Sequence, residues 1–88
     1  MEILVRIQNG KIKVLLLENG KILDFLSLPE EMRLSEKLLP AMDKLLKRNK
    51  LKPGDAKQAR VDSDQGDSST TTRIARAVAN AWNYAARH

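Results

Sequence analysis

With 88 residues, 42% of them hydrophobic and no cysteine, the chain is one small folded domain that has no disulfide or thiolate-metal staple. A domain of this size buries only about 60–65% of its unfolded surface, so association with itself or with a partner is the expected source of added stability. The net charge of +5 is spread along the chain, apart from a run at Lys44, Lys47, Arg48, Lys50 and Lys52.

Such a run either meets nucleic-acid phosphates or forms the solvated end of a helix, where lysines complement the dipole. The second is the commoner use. No apolar run reaches membrane-spanning length, and Met1-Glu2 leads directly into a strand pattern rather than a signal peptide. A soluble cytoplasmic protein without membrane contact is expected.

The first 28 residues read as a three-stranded antiparallel meander. "EILVRIQ" alternates, with Ile3, Val5 and Ile7 on one face. Asn9-Gly10 and Asn19-Gly20 follow the first and second strand patterns. Asn-Gly between two such patterns signals a type I′ hairpin, because both central residues need φ > 0. "VLLL" in the second strand is apolar on both faces, which predicts a central strand covered on both sides.

Over residues 30–50 the period becomes helical, with Leu34, Leu38, Met42 and Leu45 on one stripe. Pro40 interrupts it, so we expect one kinked helix; the alternative is a second helix capped by Ser35. "NKLKPGD" is a turn, and residues 56–61 form a short strand polar enough for a sheet edge. After the loop "DSDQGDSSTTT", residues 72–87 form a helix with Ile74, Ala77, Val78, Ala81, Trp82 and Ala85 along one side. The order β-β-β-α-β-α is an α+β layer: the meander, one edge strand and two helices packed on the sheet.

The loop before the second helix admits two readings. A phosphate cradle needs glycines whose neighbouring N–H groups converge on an anion. Here there is one glycine, Gly66, among Asp62, Asp64 and Asp67, with Arg73 as the near cation. The plainer reading is that Ser69, Thr70 or Thr71 caps the helix. The same aspartates lack the late glutamate of a calcium loop. We expect no metal site and no cofactor. No cysteine is present, His88 lies at the terminus, and no base neighbours Ser68 or Ser69, so no catalytic residue is assigned.

Several stretches resemble the TsaB (YeaZ) family: "LLENGKIL", "SEKLLPAMDKLLKRNKLKPGD" and "DSSTTTRIARAVANAWNYA". Asn19-Gly20-Lys21 matches its strand turn. Ser35, Glu36, Leu38, Leu39 and Pro40 match its Ser-Glu-x-Leu-Leu-Pro helix, proline included. Ser68, Thr70, Arg73 and Ile74 match its loop Gly-Pro-Gly-Ser-Phe-Thr-Gly-Leu-Arg-Ile-Gly, whose glycines are mostly replaced here.

The resemblance covers nearly the whole chain but only the N-terminal part of the family protein, and implies half of a ribonuclease-H-like, actin-like ATPase lobe in truncated or minimal form. In the family the first strand ends in an Asp-Thr-Ser-Thr loop; here "IQNGK" stands in its place. What it implies is a non-enzymatic module of bacterial tRNA threonylcarbamoyladenosine synthesis, with Ser68, Thr70 and Arg73 as a vestigial nucleotide loop. It further implies a homodimer, or a complex with the catalytic paralogue TsaD, made by pairing helices in a four-helix bundle. The interface expected from both lines is Leu34, Leu38, Met42, Leu45, Ile74, Val78, Ala81 and Trp82. A rival reading is a small basic protein that binds tRNA or other nucleic acid through Lys44, Lys47, Arg48, Lys50 and Lys52.

Overall fold

The computed structural model describes residues 1–29, 34–66 and 69–86. Strands β1 (Glu2–Gln8), β2 (Lys11–Glu18) and β3 (Lys21–Leu28) form the expected meander. Helix α1 (Leu34–Arg48) and a single 3-10 turn (Pro53–Asp55) lead to β4 (Gln58–Ser63), and α2 (Thr70–Ala86) follows. The sheet order is β3-β2-β1-β4, with β4 parallel to β1 and at the edge.

Both hairpins turn as the Asn-Gly pairs require. Asn9 and Gly10 have φ of 51° and 72°, and Asn19 and Gly20 have 52° and 80°. Those two-residue turns fix the register, so Ile3, Val5 and Ile7 face the same side as Ile12, Val14 and Leu16. This side carries the helices.

Leu34, Leu38, Met42, Leu45 and Leu46 from α1 join those strand residues in one core, with Ala75, Ala79 and Trp82 from α2. α1 lies over β2 and β3, and α2 over β4. α1 runs through Pro40 as a single helix, and Pro40 sits on its exposed side, where the missing N–H faces solvent. The reverse of the sheet differs from the expectation of cover on both sides. There Leu4, Leu15 and Leu17 form a small separate cluster, and both helices lie on the other face.

The later boundaries differ modestly from the sequence pattern. β4 begins at Gln58 rather than 56, because the carbonyl of buried Ala56 is taken by Trp82 Nε1 at 2.7 Å instead of by the sheet ladder. It ends at Ser63, since Asp62 and Ser63 still pair with Arg6 and Ile7. α2 begins at Thr70, two residues early, behind Ser69 at the N-cap. At the β4 edge, the Asn83 side chain acts as a surrogate strand. Its amide donates to the Ala59 carbonyl at 3.0 Å and accepts from the Ala59 N–H at 2.6 Å. Pairing of this kind protects an edge that would otherwise recruit another chain.

α1 ends in a Schellman motif: Leu51 N–H reaches the Leu46 carbonyl at 2.9 Å, and Lys50 N–H reaches that of Lys47 at 3.0 Å. The residue in the left-handed position is Lys50, with φ of 60°. A Cβ there is strained and glycine is not. Lys50→Gly is expected to raise stability by about 0.5–1 kcal/mol in urea denaturation, despite the added freedom of the unfolded chain.

Candidate functional site

The loop between β4 and α2 comes together as a closed polar network. Ser63 Oγ and Thr72 Oγ1 are 2.7 Å apart, and Ser63 Oγ also accepts from the Gln65 N–H at 3.1 Å. Ser69 Oγ donates to Gln65 Oε1 at 2.9 Å, and the Thr72 N–H lies 3.5 Å from Ser69 Oγ, the geometry of a long N-cap bond. Thr72 is fully buried. Ser69 is thus the capping residue among the three that the sequence offered. Of the candidate nucleotide-loop residues, Thr70 and Arg73 are exposed on the first turn of α2 and Ser68 lies outside the described residues.

Two of the acidic residues of this loop, Asp62 and Asp64, have partners within the chain. Asp64 Oδ2 accepts from the Asn9 backbone N–H at 3.0 Å, and the Asp64 N–H donates to the Ile7 carbonyl at 3.1 Å. A carboxylate therefore already occupies the amide at the tip of the β1–β2 hairpin. Asp62 points to the reverse face, where its Oδ2 lies 3.4 Å from Arg6 Nε. Asp67 lies outside the described residues.

The residues expected to form a helix interface divide sharply. Leu38, Met42 and Leu45 are completely buried beneath α1, and Leu34 and Trp82 are nearly so. They are core residues of the single chain, because the stripe they form meets the sheet. Ile74 and Val78 are half-buried against the same core, and only Ala81 is exposed. The outward surface of the helices is made by other residues. Leu39 is 50% exposed, and it shares a groove of about 500 Å³ with Pro53, Ala81, Ala85 and the edge of Trp82.

The basic run is partly spent on structure. Arg48 grips Asp24 of β3 through two hydrogen bonds, Nε to Oδ2 at 2.8 Å and Nη2 to Oδ1 at 2.6 Å, and Nη2 also donates to the Phe25 carbonyl. Asn49 Nδ2 adds a bond to Asp24 Oδ2 at 2.9 Å. Lys47 pairs with Asp43 one turn earlier at 2.9 Å. Lys44, Lys50 and Lys52 are exposed. The sequence reading missed Asp24, although an aspartate at a helix-side position of an otherwise apolar strand, opposite Leu16, is a signal that a partner must meet it.

No protein-family model matches the sequence, and no curated protein matches it either. Solved structures do. YeaZ from Pseudomonas aeruginosa superposes on the whole chain with a TM-score of 0.64 at 22% identity. A second crystal structure, of an uncharacterized protein similar to peptidase YeaZ from Pseudomonas aeruginosa, gives 0.64 at 21%. The fold is YeaZ-like. The chain spans only 41% of each of those proteins, so the four-stranded mixed sheet and two helices match part of a YeaZ structure. Among the described residues, no helix is long and apolar enough to cross a membrane.

The Asp24 clasp makes a pH prediction. The Arg48 guanidinium and the Asn49 amide hold the Asp24 carboxyl far below its ordinary value of 3.8. A depressed folded value means that the contribution is full above 3.8 and fades as pH falls below it. Asp24→Asn is therefore expected to lower the urea midpoint at about pH 6, and the gap to the parent should narrow at about pH 2.5.

Proposed function

We propose that this chain is a non-catalytic interaction module of the TsaB type, acting in tRNA threonylcarbamoyladenosine synthesis. Its docking surface is the outward side of α1 and α2. The groove between the helices supports this reading: Leu39 stands half-exposed beside Ala81 and Ala85, small residues that let another helix approach closely. The occupant is the corresponding helix pair of a second copy or of a TsaD-like protein. The small size of the domain favours such a staple.

The absence of an enzymatic role is part of the proposal. Asp64 fills the hairpin amide that an incoming phosphate would need, and the polar groups of the Ser63–Thr72 network bond to one another. Either would have to be undone before the loop could cradle an anion.

The surface is tested at Leu39, not at Leu38. Leu38→Glu would place a charge in the core and unfold the domain, whereas Leu39→Glu should change stability by less than about 0.5 kcal/mol. Light scattering across concentration should show the parent as a dimer, or as a complex with a co-expressed TsaD-like protein. Leu39→Glu should remain folded and lose that association. A parent that stays monomeric and ignores such a partner contradicts the proposal.

A further inference from the structure

The reverse face of the sheet is divided across its width. On the β1–β4 side, Glu2 binds Arg60 at 2.8 Å and Asp62 faces Arg6 at 3.4 Å, so charge is largely matched there. On the β2–β3 side, Lys11 and Lys13 have no ion-pair partner among the described residues. Phe25 lies directly across from Leu15 on this face and is 49% exposed. Lys13 Nζ stands 5.5 Å from the ring centroid. Arg6, Lys11 and Lys13 border a shallow depression of about 400 Å³ floored by Leu15, Ile22 and Phe25.

The geometry points to this depression as a binding site for single-stranded nucleic acid, with one base stacked on Phe25 and the adjoining phosphates on Lys11 and Lys13. An aromatic ring on a sheet surface accepts any base, because every base has a π-face. The cations sit where the phosphates of a stacked nucleotide would lie, and among the described residues no carboxylate pairs with Lys11 or Lys13. A docked protein helix fits less well. Leu4, Leu15 and Leu17 are already buried by their neighbours, so Ile22 and Phe25 are the exposed apolar residues lining the depression. Both stand on one strand, and strands are about 5 Å apart, whereas a helix with side chains is about 10 Å across. The site lies on the opposite face from the helices, so it is independent of the helix-mediated association.

Fluorescence anisotropy with labelled eight-nucleotide uridine and thymidine strands tests this, the two arms separating RNA from DNA. The expected result is binding at low salt that Phe25→Leu weakens about tenfold and Phe25→Trp retains. Phe25→Leu keeps apolar volume and the backbone bonds of the Asp24 clasp, and circular dichroism checks its fold. Lys11→Gln and Lys13→Gln should each lower the log–log salt slope by about 0.7, while Lys44→Gln with Lys50→Gln leaves it unchanged. The site is overturned by no binding to either strand at about 50 mM salt. It is equally overturned by binding indifferent to Phe25→Leu, by loss on the Lys44→Gln and Lys50→Gln substitutions instead, or by polyglutamate competing as well as the oligonucleotides.

Discussion

The structure depends on one act of burial: the apolar stripe of α1 laid against one face of a four-stranded sheet. Leu38, Met42, Leu45 and Leu46 are wholly withdrawn from water there, alongside Ile3, Val5, Ile7, Ile12, Val14 and Leu16. Truncating any one of these large side chains to alanine would cost about 2–5 kcal/mol, a large share of what a domain of this size has. The stripe is therefore unavailable for any other role. Everything the protein offers to a partner must come from what that layer leaves outside.

Polar clasps hold the layer in register. Arg48 and Asn49 tie the end of α1 to Asp24 of β3; Trp82 and Asn83 tie α2 to Ala56 and Ala59. Ser63 and Thr72 join the end of β4 to the first turn of α2, and Asp64 closes on the β1–β2 hairpin. Alanines on the inner side of α2 cannot fill much space, so these directional bonds position a helix that packing alone would hold loosely. They also consume donors and acceptors that a ligand loop would otherwise present. Ser63, Gln65, Ser69 and Thr72 in and beside this loop serve to fix the start of α2.

The meander was legible because its determinants are local. Asn-Gly supplies the two positive φ values, and alternation then assigns each side chain to a face. The helices were legible from their period, and the YeaZ-like half-lobe from the motifs carried on them. The partner of the α1 stripe was not. A helical stripe looks the same whether it meets a sheet of its own chain or a helix of another, and only the topology decides between them. The apolar run in β2 was misread for a related reason: Leu15 and Leu17 are buried by neighbours on the same face, with no helix over them among the described residues. Asp24 and Phe25 escaped notice because their importance comes from residues distant in the chain, Arg48 for one and, across the hairpin, Lys13 for the other.

Two surfaces remain outside the core: the alanine-lined groove with Leu39, and the reverse of the sheet with Ile22 and Phe25. The division into a closed helix-side face and an open reverse face is the claim on which both depend. It is tested most directly by methyl NMR of the isoleucine- and leucine-labelled monomer with a soluble paramagnetic agent. The account predicts strong attenuation at Ile22 and Leu39 and protection at Ile3, Ile7, Ile12, Leu38 and Leu45. Attenuation of Leu38 and Leu45 to the level of Leu39, or protection of Ile22 equal to that of Ile12, would contradict it.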